Sequence, residues 1–177
     1  MKILKTVLTV VAIIILIPLV LALFIKNEYA VQREITINKP KAEVFNYIKH
    51  LKNQDQYSKW VRIDPAMKKD FRGTDGTEGF VYAWDSNDEN AGKGEQEIKK
   101  IKEGERMDVE IRFERPFKGM AVAPFTTETV SANQTRVTWG MQGRQPYPMN
   151  FMNLFLDNIL GKDLNTSLAS LKNILEK

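Results

Sequence analysis

The pattern of apolar and polar positions changes twice along the chain. Residues 6–25 form an apolar run of twenty residues without a charge. From Tyr29 onward, apolar and polar residues alternate in short segments, which is typical of strands with one buried face. From Met149 to Leu175 the apolar residues return at intervals of three and four, which predicts a long amphipathic helix.

One further helix is predicted near the start of the alternating part. Residues 28–38 predict a first strand, and Pro40 then stands where a first helical turn tolerates proline. The residues that follow have apolar side chains at helical spacing: Val44, Phe45, Ile48 and Leu51. After a polar loop or short helical turn, about six alternating segments are separated by turns such as residues 73–79.

These elements predict an α+β fold. The sheet has one apolar face and the long helix has one apolar stripe, and each must be buried against the other. We therefore expect a curved antiparallel sheet of about six to seven strands that wraps around the C-terminal helix. Within that helix, Gly161 is the candidate position for a bend.

The opening apolar run has the length of a membrane span. As a helix it would measure about 30 Å, the thickness of a bilayer's hydrocarbon core. A cleaved signal usually has a shorter apolar region and a small-residue cleavage site, whereas Ala22 is followed by bulky residues. We predict a transmembrane anchor at residues 1–27 and one domain at residues 28–177. A cleaved signal and a buried core helix are the alternatives.

The distribution of charge argues against a nucleic-acid partner. Three of the 26 basic residues (Lys2, Lys5 and Lys26) flank the apolar run, so the rest of the chain has 23 basic and 22 acidic residues. A nucleic-acid binder would concentrate basic charge on its folded part. Lys2 and Lys5 favour a cytoplasmic N-terminus. This predicts a single-pass membrane protein whose domain lies on the extracytoplasmic side.

Two stretches of sequence resemble a known superfamily. ITINKPKAEVFNYIKHLKNQDQYSKW, residues 35–60, resembles the opening of the START-like, or polyketide cyclase/dehydrase-like, helix-grip superfamily (SRPBCC). The shared pattern is a strand, a proline, a helix with a Val-Phe pair, a polar stretch and a tryptophan. TRVTWGMQG, residues 135–143, resembles its last strand. The resemblance covers roughly residues 28–177, and the apolar run is not part of it.

The resemblance implies an apolar ligand cavity between the sheet and the C-terminal helix. Members of the superfamily bind lipids, sterols, polyketides, plant hormones or quinones, and some are cyclases or hydrolases. A filled core is the alternative for each large inward residue. Tyr57 and Trp60 are predicted to form a gate or a packing plug, and Gln96 and Asn158 are weaker polar candidates. The predicted cavity residues are Tyr82, Trp84, Phe113, Phe125, Thr127, Trp139, Met141, Phe151 and Phe155.

No motif indicates catalysis, a metal or a cofactor. The chain has no cysteine, and its one histidine, His50, is expected at the exposed end of the first helix. A histidine-rich or thiolate metal site is therefore impossible. No nucleophile elbow, P-loop or dinucleotide fingerprint occurs. We therefore predict no catalytic residue, no metal and no cofactor.

The sequence favours membrane-anchored, non-catalytic binding of a hydrophobic or amphipathic, lipid-like small molecule. A short tether would hold the cavity near the source of poorly soluble ligands and raise their effective concentration. One alternative is a cyclase, dehydratase or hydrolase, which needs an acid–base pair with perturbed pKa values in the cavity. The other is a filled-core module for a protein partner, which predicts an exposed apolar patch and no cavity.

Overall fold

The computed structural model describes residues 2–177 and contains four α-helices and seven strands. The helices are α1 (Lys2–Ala22), α2 (Lys41–Ile48), α3 (Gln54–Tyr57) and α4 (Asn153–Leu175). Single 3₁₀ turns lie at Leu51–Asn53, Val61–Ile63 and Met149–Met152. The strands are β1 (Glu28–Ile37), β2 (Lys68–Arg72), β3 (Val81–Asp85), β4 (Lys93–Lys102), β5 (Arg106–Arg115), β6 (Gly119–Ser131) and β7 (Gln134–Arg144).

All seven strands form one antiparallel sheet in the order β1-β7-β6-β5-β4-β3-β2. The first strand therefore pairs with the last, and each of the other pairs joins strands that are consecutive in the chain. The α+β class, the curved antiparallel sheet and the long C-terminal helix that the sequence predicted are confirmed.

Local sequence explains where the second helix begins and which face it buries. Pro40 precedes α2 with φ −60°, a value its ring fixes and a first helical turn accepts. Val44, Phe45 and Ile48 are fully buried because their spacing places them on one face, against the sheet. This helix therefore helps to close one part of the core.

The two halves of α4 have different surroundings. In the C-terminal half, an apolar row is buried in the core: Leu164, Leu168, Leu171 and Leu175. In the N-terminal half, Leu154, Phe155 and Ile159 are exposed. The helix runs through Gly161 without interruption, and a Cβ atom there would overlap the guanidinium of Arg33. Gly161, the candidate position for a bend, therefore allows α4 to lie close to Arg33 of β1.

Helix α1 is exposed along most of its length, and Ala22 is its one buried residue. The helix is long and apolar enough to cross a bilayer, a property that an N-terminal signal sequence shares. Its C-terminal end is fixed to the 3₁₀ turn before α4. The Asn150 side-chain amide donates to the carbonyls of Ala22 (2.7 Å) and Ile25 (2.8 Å). Asn153 donates to the carbonyl of Lys26 at 2.9 Å. We call these contacts of Asn150 and Asn153 the α1 joint.

Strand register defines which loops share the end of the sheet at which α1 is attached. Glu28 is paired with Arg144, Ala121 with Gly143, Phe113 with Gly119, and Lys93 with Arg115. The start of β1, the end of β7, the β5–β6 connection and the β3–β4 connection therefore lie at one end, which we call the α1 end. The β6–β7 turn lies at the opposite end, since it joins the other ends of these strands.

Candidate ligand-binding cavity

A cavity of about 270 Å³ lies between the inner face of the sheet and residues 54–67. The sheet supplies most of the wall: Tyr82, Trp84, Gln96, Val109, Ile111, Phe113, Ala123, Phe125, Trp139 and Met141. The facing segment supplies Gln54, Ser58, Trp60, Val61 and Met67. Helix α4 contributes a single lining residue, Leu160. The cavity thus lies beside the N-terminal half of α4, where the buried leucine row has not yet begun.

Most of the predicted cavity residues come together in this wall. They lie on inward-facing positions of β3, β5, β6 and β7, where alternation placed them: Tyr82, Trp84, Phe113, Phe125, Trp139 and Met141. Trp60 joins them, and its ring meets Trp139 edge to face with centroids 5.6 Å apart. The role of these residues in ligand binding stays a prediction.

Four other residues singled out in the sequence lie outside the wall. Thr127 is buried, but it lies further along β6, where its hydroxyl donates to the carbonyl of Gly104 at 2.9 Å. Phe155 is 51% exposed, and Phe151 is half-buried in the 3₁₀ turn before α4. Tyr57 is fully buried against Trp139, with ring centroids 6.0 Å apart. Tyr57 therefore packs in the core beside the cavity.

Apart from Trp60, sequence reasoning missed the wall supplied by residues 54–67. Residues 52–60 were interpreted as a polar loop or short helical turn, yet Gln54 and Ser58 are buried and face the sheet. Their spacing of four is the signal that would have placed both on one face of a short helix. Gln96, a weaker polar candidate, lines the cavity, whereas Asn158 is exposed on α4.

Few polar groups of the wall are free to meet a ligand. The Tyr82 hydroxyl donates to Asp55 at 2.7 Å, and the Trp84 indole donates to the Ala91 carbonyl at 3.0 Å. Burial, reinforced by the hydrogen bond to Asp55, raises the pKa of Tyr82, so this phenol stays protonated at neutral pH. The Trp139 indole nitrogen is buried and has no hydrogen-bond partner among the described residues.

A buried amide pair is the main polar feature of the inner wall. The side-chain nitrogen of Gln96 donates to the side-chain oxygen of Gln54 at 3.1 Å, and both residues are buried. An amide has two donor hydrogens and two acceptor lone pairs, so one mutual bond leaves further capacity on each. This pair can therefore donate to, or accept from, one polar group of a ligand.

The wall offers no acid–base pair. It includes no carboxylate, and its one charged side chain, Arg115, forms an ion pair with Asp85. His50 lies outside the wall with its ring nitrogen 3.6 Å from Asp75. Across residues 2–177, no three potential metal ligands approach each other closely enough to hold an ion. The arrangement can enclose an apolar group and orient it through few polar contacts.

The mouth of the cavity lies at the α1 end of the sheet. The exposed residues of the wall belong to the β3–β4 and β5–β6 regions: Asn90, Arg115 and Pro116. In contrast, Gln54, Gln96 and Phe125 are buried at the inner end. A ligand would therefore enter from the side at which α1 is attached to the domain.

The chain matches no protein-family model and no curated protein sequence. It is similar to solved structures, including protein CV1439 from Chromobacterium violaceum, at 12% identity and a TM-score of 0.60 over 84% of this chain and 97% of that one. Aha1 from Colwellia psychrerythraea is 18% identical, with a TM-score of 0.55 over 83% and 96%. Ara h 8.0201 is 14% identical, with a TM-score of 0.53 over 84% and 97%. At such identities the likeness shows the fold alone, and that fold is a helix-grip.

Proposed function

We propose that this protein is a membrane-anchored, non-catalytic binder of a hydrophobic or amphipathic, lipid-like small molecule. The observation that supports this most directly is the cavity of about 270 Å³, whose wall is mainly aromatic and aliphatic. Such a wall favours a ligand through burial of apolar surface, at roughly 25 cal/mol for each Å² removed from water. The Gln54–Gln96 pair supplies one polar contact at the inner end.

The size of the cavity limits what it encloses. At about 270 Å³ it lies just below the range of about 300–1,000 Å³ that is usual for small-molecule sites. A whole two-chain lipid is too large for this space. We infer that the cavity holds a compact apolar molecule, or one end of a longer one whose remainder leaves through the mouth.

The anchoring part of the proposal depends on α1. A helix of 21 residues spans about 31 Å, which matches the hydrocarbon core of a bilayer. Its C-terminal end is hydrogen-bonded to the domain through the α1 joint. We propose that residues 1–27 stay in the membrane as a single-pass anchor, with the domain at residues 28–177 on the extracytoplasmic side.

The alternatives have less support. An enzyme of the same fold would need an acid–base pair that faces the cavity. The wall contains no carboxylate, and the hydroxyl of its Tyr82 is engaged by Asp55. A filled-core partner module would leave no cavity. We therefore retain binding without catalysis as the proposed function.

Native mass spectrometry of the full-length protein in detergent, with analysis of co-purifying lipids, tests this proposal. We expect a bound apolar molecule at a stoichiometry near one. Ala123 is buried in the wall, so Ala123→Phe should fill part of the cavity and reduce occupancy several-fold. The matched control is Ala169→Phe, at an exposed position of α4.

Two results would contradict ligand binding. One is that the wild-type protein carries no ligand and takes up none from a panel of lipids, sterols and quinones. The other is that Ala123→Phe and Ala169→Phe retain equal amounts of ligand, because the bound molecule would then lie outside this cavity.

A further inference from the structure

Several large apolar side chains at the α1 end are exposed to solvent. Phe117 in the β5–β6 connection is 76% exposed, and Leu154 and Phe155 in the first turn of α4 are 56% and 51% exposed. Met149, just before α4, is 44% exposed. We call these four residues the apolar rim. Single exposed apolar residues are common on protein surfaces, but a group of them at one end of a domain marks an interaction site.

The apolar rim borders the mouth of the cavity. Phe117 directly follows Pro116, which lines the cavity on the sheet side. Phe155 lies on α4 between the α1 joint and Leu160, which lines the cavity on the helix side. The mouth therefore opens between apolar side chains that belong to both walls.

The α1 joint places the apolar rim close to the C-terminal end of α1. Met149 is adjacent to Asn150, which is bonded to Ala22, and Leu154 lies four residues further on, about 6 Å along the chain at helical rise. The β5–β6 connection is separated from the end of β7 by one to two strand spacings, about 5–10 Å. A helix that spans the membrane would thus bring the whole rim to the bilayer surface.

We propose that the apolar rim inserts into the lipid interface around α1, so that the mouth of the cavity faces the bilayer. This inference rests on the anchoring role proposed for α1 and adds a second membrane contact to it. Apolar faces of interfacial segments sit about 5–10 Å into the boundary between headgroups and acyl chains, a depth that these side chains reach from the end of α1. A ligand then moves between lipid and cavity without passing through water.

We favour a bilayer over a protein partner for one reason. When α1 spans the membrane, its attachment to the domain keeps the apolar rim next to the bilayer. A transient protein partner would need to displace lipid from the rim. The four rim side chains are all hydrophobic, and two nearby charged pairs are Arg115 with Asp85 and Lys93 with Glu114.

Depth measurements on single-cysteine variants test the proposal, because the natural chain has no cysteine to interfere. The full-length variants F117C and F155C carry an environment-sensitive fluorophore in phosphatidylcholine vesicles that contain nitroxide-labelled lipid. I14C, in the middle of α1, reports on the anchor. A132C, at the exposed β6–β7 turn, is the control at the opposite end. We expect quenching at positions 117 and 155 to exceed that at position 132 several-fold.

The outcomes separate this proposal from the proposed function. If position 14 is quenched while positions 117 and 155 match position 132, the anchor stands and the rim proposal is wrong. If the rim labels are shielded from water but not quenched by lipid, a protein contact covers the rim and the proposal is also wrong. If position 14 is unquenched, the anchor fails and the rim proposal fails with it. Quenching at the rim supports the proposal even where no ligand co-purifies.

Discussion

At the scale of single residues, one glycine allows the Trp84 indole to lie against the sheet. Gly94 is directly opposite Trp84 in the β3–β4 pair. A Cβ atom at this glycine would lie 2.8 Å from the indole ring and 2.5 Å from the backbone carbonyl oxygen of Arg112. The backbone atom cannot move away as the end of a flexible side chain could. Gly94 is therefore required by close packing in the cavity wall.

We expect Gly94→Ala to destabilise the protein by about 1–3 kcal/mol, the usual range for overpacking. The displaced indole should also change the tryptophan emission of the folded state. Chemical unfolding of the full-length protein in detergent, followed by fluorescence, measures both effects.

Gly119→Ala is the matched control. A Cβ atom at this strand position meets no other atom within 4 Å, so the free energy of unfolding should change by less than about 0.5 kcal/mol. Equal effects of the two substitutions would show that the contact with Trp84 does not matter.

A second residue-scale feature is the cluster around Arg112 on the outer face of the sheet. Its guanidinium donates to Glu95 at 2.9 Å, lies 2.8 Å from Glu97, and pairs with Glu110. Burial alone would raise the pKa of Glu95, but hydrogen bonds from Arg112 and Arg72 outweigh it and lower that pKa. Hydrogen bonds from Lys99 and Arg112 lower the pKa of Glu97.

These lowered pKa values give stability a defined dependence on pH. The stabilisation is present above the unfolded pKa of glutamate, about 4.3, and is lost as pH falls through the lower folded pKa. We expect Arg112→Gln to reduce stability at pH 7 and to flatten its fall between about pH 5 and 3. Thermal unfolding across this range measures the slope. Arg136→Gln, at an exposed position of β7, should leave the slope unchanged, and equal slopes in all three proteins would refute the prediction.

The sequence predicted which face of the sheet a side chain occupies better than it predicted which positions along a strand line the cavity. Alternation correctly placed Tyr82, Trp84 and Trp139 on the inner face, because strand geometry sends successive side chains to opposite sides. It could not distinguish Phe125, which lines the cavity, from Thr127, which lies two positions further on and bonds to Gly104. Tertiary packing on the sheet decides which inward-facing residues line the cavity. The pattern of residues along a single strand carries no information about that packing.

At the scale of elements, α4 shows where periodicity stops being informative. The row containing Phe155 and the row containing Leu168 have the same helical spacing, and both were expected to face inward. The structure buries Leu168 and exposes Phe155. Spacing identifies one apolar face, but whether another element covers that face depends on tertiary packing. Here the leucine row of the C-terminal half is buried in the core, whereas Phe155 in the first turn stays uncovered.

The α1 joint leads to a prediction about the mobility of the connection between α1 and β1. Asn150→Ala removes the hydrogen bonds to the carbonyls of Ala22 and Ile25. Each such bond contributes about 1 kcal/mol net, so local opening should become roughly tenfold or more favourable. Because Lys26 lies in this connection and is exposed, limited trypsin digestion of the detergent-solubilised protein should cleave there faster.

Asn158→Ala on the exposed part of α4 is the control for this experiment. Its cleavage rate at Lys26 should equal that of the wild type. Cleavage of Asn150→Ala at the wild-type rate would mean that the two hydrogen bonds do not restrain the connection.

At the scale of the whole molecule, α1 and the β6–β7 turn lie at opposite ends of the domain. Ala132, in that turn, is exposed and distant from the α1 end. If the domain is extracytoplasmic, a cysteine at this position should react with a membrane-impermeant maleimide added to intact cells. Labelling only after lysis would place the domain on the cytoplasmic side and reverse the orientation predicted from Lys2 and Lys5.

The pairing of β1 with β7 has a consequence for how the chain folds. In the sheet β1 has no neighbour other than β7, and residues 38–133, about two thirds of the domain, lie between them in sequence. Closing so long a loop makes this pairing the entropically costly step, since non-local contacts slow folding. During synthesis, β1 emerges before the other strands and stays unpaired until β7 has followed. The segment that leaves the apolar helix first is thus among the last to reach its final hydrogen bonds.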